Sequence, residues 1–431
     1  MQPIRTQALV TLLVAALAAC SAQSSSDDSF VLHNTTVAVA GTTRMAISGH
    51  NLAFLASEAT SGPGGTDFNG DGDKIDSIAV AVLMNGHVQY NLGVAALDLA
   101  WIGNELYLTV NEALDGRDWN NDMDTNDIVL LHWSIADHPA LPTYVDDLPS
   151  ATLPQAIAVG SLLFYTSATT PVGAFQSNLN VITTAAPVTG TMIATQDATA
   201  ELTVQLYEMQ EGLLFLGLDE TVNGRDLNGD TDTGDTHVLA LLDATIGNGT
   251  LRNTGLAVAS ASGPFRGRRT NTHDWDVGFL VNEADQGNTN LNDPALFDPA
   301  WQASQCAAVP DTDTNDNVLH FLNFSAWNAN PLTQPPRNSG LAGQQKIAIA
   351  NGFIACICAE SDEGTCDLNQ DGDTLDNVVR WTQIVSGTTA PVLPLNAAAN
   401  LHALFDCPGG THGLAELGAD FMIQVSEAGP T

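Results

Sequence analysis

Oxygen-bearing side chains recur at one fixed spacing in this chain. Asp67, Asn69, Asp71, Asp73 and Asp76 follow the pattern D-x-N-x-D-x-D-x-x-D. It returns at Asp118, Asn120, Asp122, Asp124 and Asp127, and again at Asp226, Asn228, Asp230, Asp232 and Asp235. A later copy is Asp367, Asn369, Asp371, Asp373 and Asp376. The copy before it is split, with Asn290 and Asn292 at its start and Asp311, Asp313 and Asp316 at its end. Carboxylate and amide oxygens at alternate positions can turn inward together around one hard cation. Ca²⁺ takes six to eight oxygen ligands at roughly 2.3–2.6 Å, and Mg²⁺ rarely builds an all-protein cage. No His or Cys recurs in the motif, which disfavours softer metals. Without a cation, two carboxylates about 5 Å apart repel by roughly 3 kcal/mol at an effective dielectric near 20. A metal-free loop should therefore splay or take up protons.

These loops resemble the calcium loops of EF-hand, dockerin, thrombospondin type 3 and FG-GAP propeller repeats, over the ten residues alone. An EF-hand needs a carboxylate at the twelfth position, where this chain has Ile78, Val129, His237 and Val378. Three of these are β-branched, so the flank reads as a strand, with His237 an ordinary strand residue. FG-GAP loops carry their last Asp one residue earlier. A Glu closes the apolar run before each loop (Glu58, Glu112, Glu220, Glu283, Glu360) and could be an extra ligand or a strand-end cap. The plain alternative, Asx turns that keep the surface soluble, fits poorly with four intact copies of identical spacing.

The elements that must position these loops also repeat. Glu58 to Glu112 is 54 residues and Glu112 to Glu220 is 108, twice that period. The missing member falls near Thr166, where the apolar run Ser161–Thr166 lacks the Glu and 166–186 contains no carboxylate. One unit runs from Ala96 to Pro142: strand Ala96–Trp101, tight turn Gly103-Asn104, strand Leu106–Val110, acidic loop, strand Asp127–Trp133 and a weaker fourth strand. No segment keeps a helical period over three turns. The pattern predicts an all-β fold, a β-propeller of about seven four-stranded units over 31–431 with the last incomplete. Small sandwiches in a row are the alternative, though units this short make poor independent domains. The last unit stops where other copies enter the acidic loop, so either Ser29–Ala40 supplies its outer strand or the sequence is a fragment.

Residues 1–20 have the form of an export signal, with Arg5 ahead of the apolar run Ala8–Ala19. The ending Leu17-Ala18-Ala19-Cys20 resembles a bacterial lipobox, which implies lipidation at Cys20 and a polar tether over 21–30. The chain accordingly resembles bacterial envelope lipoproteins of propeller type, exported to the outer membrane or cell surface and attached by the lipid alone.

The formal charge is −37, from 12 basic and 49 acidic residues. That balance argues against a nucleic acid partner. The five loop regions hold 31 of the 49 acidic residues, which points to sites rather than to a charged face. Five Cys follow Cys20: Cys306, Cys356, Cys358, Cys366 and Cys407. A pair of Cys306 with Cys366, and of Cys407 with Cys356 or Cys358, is the expectation in an exported chain. Pro264–Asp276, with Arg266, Arg268 and Arg269, breaks the apolar pattern of a first strand and reads as a solvated loop or a contact patch. No nucleophile elbow, zinc-binding helix motif or phosphate loop is present, so no catalytic residue is assigned. The expectation is a calcium-binding scaffold or binding module, monomeric, with a protein or glycan ligand. A carbohydrate-active lyase or hydrolase using the central funnel, and a calcium-dependent adhesin, are the alternatives.

Overall fold

Short apolar runs between Gly- and Asp-rich turns fold as antiparallel meanders in the computed structural model. It describes residues 37–40, 45–83, 88–138, 140–149, 154–168, 177–194, 202–297, 311–344, 346–363, 368, 377–384, 414–417 and 420–423. The first unit is β1 (Ala46–Ser48), β2 (Asn51–Ser57), β3 (Ser77–Leu83) and the start of β4 (Val88–Ile102). The second is the rest of β4 with β5 (Glu105–Asn111), β6 (Ile128–Ser134) and β7 (Thr143–Leu148). The third holds β8 (Ala156–Val159), β9 (Leu162–Ala168), β10 (Ser177–Thr183) and β11 (Ala186–Met192). The fourth holds β12 (Val204–Gln210), β13 (Leu213–Leu218), β14 (Val238–Asp243) and β15 (Arg252–Ala257). The fifth holds β16 (Phe265–Asn271), β17 (Asp274–Asn282), β18 (Asn317–Asn323) and β19 (Arg337–Ala342). Then come β20 (Ile347–Ala350), β21 (Phe353–Ala359) and β22 (Asn377–Gln383), and the pair β23 (Leu414–Leu417) and β24 (Asp420–Ile423). Among the described residues the α-helices are short turns: α1 (Glu112–Asp115), α2 (Glu220–Asn223) and α3 (Phe324–Ala329).

Two details carry the chain from unit to unit. β4 pairs with β3 through Ala95 and with β5 from Ala96, so one long strand leaves the first sheet and opens the second. The predicted turn at Gly103-Asn104 joins β4 to β5, with Ile102 paired to Glu105 and Gly103 at φ +62°.

Alternating side chains place the sheets of the second to fifth units each between two others. On β5, Leu106, Leu108 and Val110 join a core shared with the first unit, while Tyr107 faces Leu163 and Tyr165 of the third. On β13, Leu214, Leu216 and Leu218 face the third unit, while Leu213 and Phe215 meet Trp275, Val277 and Phe279 of the fifth. On β21, Ile354, Cys356 and Cys358 face the fifth unit. Strands covered on both faces need apolar residues at successive positions, which explains why β13 is buried throughout. The first strands of consecutive units also lie beside one another, β4 by β8, β12 by β16 and β16 by β20.

The fold corrects one expectation. Phe265–Asn271 is β16, a first strand paired antiparallel with β17 with a register shift after Arg269, rather than a loop. Its arginines are used within the fold: Arg266 Nη1 donates to Gln210 Oε1 at 3.2 Å, Arg268 Nη1 donates to the Ile349 carbonyl at 2.8 Å, and Arg269 lies over the Trp275 ring. Cys356 and Cys358 are buried free thiols 3.3 Å apart. Cys20, Cys306, Cys366 and Cys407 lie outside the described residues.

Candidate metal centres

Each described acidic loop joins the second and third strands of its unit and carries a ladder of Asx turns. In the first copy the Asp71 N–H donates to Asn69 Oδ1 at 3.3 Å, the Asp73 N–H to Asp71 Oδ1 at 2.9 Å and the Ile75 N–H to Asp73 Oδ1 at 3.0 Å. The second and third copies repeat this at Asn120, Asp122 and Asp124 and at Asn228, Asp230 and Asp232. In each Asp of the ladder one oxygen thus fixes the loop and the other can face a ligand, while the single Asn oxygen keeps a second lone pair. Asx turns and a cation site are therefore one arrangement here. The first Asp of the three described intact copies closes the loop instead: Asp67 and Asp226 accept from Gly70 and Gly229 at 2.6 Å, and Asp118 accepts from Met123 at 3.0 Å.

The strand-end Glu is the anchor. Glu58, Glu112, Glu220, Glu283 and Glu360 are fully buried. Each accepts from the N–H of the loop's second residue: Phe68 at 2.5 Å, Trp119 at 2.5 Å, Leu227, Leu291 at 2.5 Å and Leu368 at 2.6 Å. In the split copy Glu283 also takes the N–H of Asp316 at 3.1 Å, and the N–H of Glu283 donates to the Asp316 carbonyl at 3.0 Å. An 18-residue insertion is tolerated because these bonds hold both ends.

The anchor draws carboxylates together. Oxygens of Glu58, Asp73 and Asp76 lie within 4.8 Å of one another, as do those of Asp122, Asp124 and Asp127. The same holds for Glu220, Asp230, Asp232 and Asp235, and for Glu283, Asp311, Asp313 and Asp316. The loop Asn adds an amide oxygen: Asn69, Asn120, Asn228 and Asn292 each donate through Nδ2 to the last Asp, at 3.5, 3.2, 2.6 and 3.2 Å. Asp367, Asn369, Asp371, Asp373 and Asp376 lie outside the described residues.

Several buried oxygens here have nothing to accept from. Glu112 Oε2, Asn290 Oδ1, Asn292 Oδ1 and Asp311 Oδ2 have no hydrogen-bond partner, although Glu112 is fully buried and Asn292 is 3% exposed. An unsatisfied buried acceptor costs about 1–3 kcal/mol. A cation removes that cost, and an all-oxygen donor set suits a hard one.

Electrostatics agree. Burial, then the charge of Asp73, pushes Asp76 up to about 7. Burial, then Asp230, pushes Asp235 up to about 7. Asp127 and Asp316 are raised as well, with burial the main cause. Covering the last Asp and setting it among other carboxylates favours its protonated form in a metal-free loop.

Two supporting motifs escaped the sequence reading. Asn91, Asn253 and Asn338, on fourth strands, donate to the carbonyls of Phe68, Leu227 and Leu291 at 3.1, 2.7 and 2.6 Å. Each lies two residues before a Gly at positive φ, giving an N-x-G signal at 91–93, 253–255 and 338–340. The residue three past the strand-end Glu accepts an N–H from the chain ahead of its unit. Ser61, Asp115, Asn223, Gln286 and Glu363 take Ala38, Ala95, Thr203, Ala257 and Ala342 at 3.0, 2.7, 2.8, 2.9 and 2.8 Å. Glu-x-x-(polar)-Gly at each of these five sites was the available cue.

Away from the loops, His273 Nδ1 lies 2.7 Å from Asp243 Oδ2 and 2.9 Å from Thr245 Oγ1. Trp275 is buried, with Nε1 donating to the Glu211 carbonyl at 3.1 Å. A cavity of about 190 Å³ is lined by residues of three first strands, including Ile47, Leu99, Trp101 and Ile157, with Asp98 among them.

No protein-family model and no curated protein matches this chain. Among solved structures, one of a study of two prolyl endopeptidases is 11% identical, with a TM-score of 0.36 over 87% of this chain and 44% of that one. Prolyl oligopeptidase B from Galerina marginata is 7% identical, at 0.34 over 82% and 41%. A GH74 enzyme from Niastella koreensis is 12% identical, at 0.31 over 83% and 46%. The matched region thus spans less than half of each of these chains, and similarity at this level carries no argument about activity.

Proposed function

We infer that this chain is a calcium-stabilised β-propeller of about seven four-stranded units, acting as a surface-anchored binding or scaffold module. The observation that carries the calcium reading is twofold: loop carboxylate oxygens gather within 4.8 Å of one another in four loops, and two of those loops also hold a buried oxygen with no hydrogen-bond donor, Glu112 Oε2 and Asn292 Oδ1.

A ring is supported by the sheets' order and contacts. Consecutive sheets stack through alternate faces, and β1, β4 and β8 line one cavity. The segment that precedes β1 fits as well. Ala38 and Val39 contact Ser61 and Ala56 as Ala257 and Val258, at the end of β15, contact Gln286 and Val281. That is where an outer strand of a preceding unit would stand, so the N-terminal segment completes the last unit in this reading.

Export, lipidation at Cys20 and a protein or glycan ligand remain part of the proposal on the sequence reading alone. The enzyme alternative gains little support, because the cavity between first strands is lined mainly by apolar side chains. A catalytic funnel needs converging acid, base or nucleophile groups.

Calorimetric titration of residues 21–431 with Ca²⁺, repeated in millimolar Mg²⁺, tests this. Several Ca²⁺ per chain should bind and resist Mg²⁺. No binding heat together with an unchanged melting curve in EDTA would refute the calcium reading.

A further inference from the structure

The four described loops differ in what their Asn holds. Asn228 Nδ2 donates to Asp235 Oδ2 at 2.6 Å and also to the carbonyl of Asp285, in the following unit, at 2.8 Å. Asn292 does the same, donating to Asp316 Oδ2 at 3.2 Å and to the carbonyl of Asp362, in the following unit, at 3.1 Å. Asn69 donates within its own loop, to Asp71 and Asp76. Asn120 donates to Asp127 and to Asp147 of its own sheet.

The following unit also brings charge to the third and fourth loops. Asp285 and Asp362 each stand two residues past a strand-end Glu. Asp285 lies in the field of Asp230 and Asp232, and Asp316 in the field of Asp362. The third loop has a second bond across the junction, from Gln286 Nε2 to the Asn228 carbonyl at 3.3 Å. Gly287 approaches so closely that an added Cβ would lie 3.0 Å from Asp230 Cβ. Beside the first loop the following unit sets a cation, Arg117, whose Nη2 donates to the Asn69 carbonyl at 3.1 Å.

We propose that the third and fourth loops bind their cations jointly with the next sheet, through Asn228 with Asp285 and Asn292 with Asp362, so that bound metal locks the fourth, fifth and sixth units into one block. This rests on the calcium reading above. A cation on the amide oxygen polarises the Asn, and its N–H groups then bond more strongly to the neighbouring carbonyl. The orphaned oxygen of Asn292, buried at this junction, shows where the ligand belongs. The carboxylate of Asp285 or Asp362 raises affinity through space, an effect that needs the next sheet docked. The first loop, which faces the cation of Arg117 in place of a carboxylate, and the second, whose Asn stays within its own sheet, become the weaker pair.

Amide hydrogen exchange on residues 21–431, with and without Ca²⁺, tests the idea alongside calorimetry. In the unsubstituted chain Ca²⁺ should slow exchange in loop 226–235 and in turn 284–289 together. Asn228→Asp keeps a ligand oxygen and removes the bridging N–H, so Ca²⁺ should still protect 226–235 but no longer 284–289. Asp285→Asn should weaken one site by roughly tenfold. Protection confined to 226–235 in the unsubstituted chain would overturn the joint sites while leaving calcium binding intact. So would an Asn228→Asp chain in which the turn is still protected. Absence of any calcium heat would instead sink the calcium reading and this inference with it. If the variants do not fold, the exchange pattern of the unsubstituted chain still decides.

Discussion

Glu220 and Asp235 clasp each other across the third loop. The N–H of Glu220 donates to the carbonyl of Asp235 at 2.8 Å, and the N–H of Asp235 returns to Glu220 Oε2 at 3.5 Å. This pair turns a mobile acidic segment into a fixed cup, and it is repeated at Glu283 and Asp316.

Removing that anchor should be costly. Glu220→Ala loses the bonds from Leu227 and Asn228 and leaves their N–H groups near the buried cluster. Hydrogen bonds to charged groups contribute about 1.5–3 kcal/mol each. Urea unfolding in saturating Ca²⁺ should show a loss of about 3 kcal/mol, and a loss below about 1 kcal/mol would argue against the anchor.

Calcium removal should lower the melting temperature. Each independent site at ten times its dissociation constant adds about 1.4 kcal/mol to the folded state. Calorimetric scans in EDTA and in millimolar Ca²⁺ should differ by several degrees, and identical scans would leave the loops without a structural cation.

Met123 offers a gain. It is 94% exposed and sits at φ +83°, where the other intact loops have Gly72 at +102° and Thr231 at +84°. A side chain in the left-handed region costs about 1 kcal/mol and this one packs on little. Met123→Gly should stabilise the chain by about 0.5–1 kcal/mol in chemical denaturation, and destabilisation would show that the backbone is not strained there.

His320 should set part of the acid limb. Burial lowers its pKa to about 4, and its Nδ1 faces the Val318 carbonyl at 3.0 Å. The unfolded chain binds the proton near 6.5. The stability carried by neutral His320 is therefore complete above 6.5 and lost as pH falls toward 4, about 3 kcal/mol in all. His320→Gln should flatten the pH dependence between 6.5 and 4.5 relative to the parent chain. Parallel curves would exclude this role.

The period, the all-β class and the residues of the described loops are legible in the order of amino acids alone. Those features are local: alternating apolar residues force strands, and oxygens at every second position of a tight loop face one point. They left open what the strand-end Glu does, how the split copy holds together and that 265–271 is a strand. Those answers depend on contacts across long separations. Asp316 returns to Glu283 past an 18-residue insertion, and the arginines of β16 find partners on β12 and β20. Tertiary structure alone decided that Asn228 reaches Asp285, because the partner of a side-chain amide is set by how the next sheet packs and not by its neighbours in the chain.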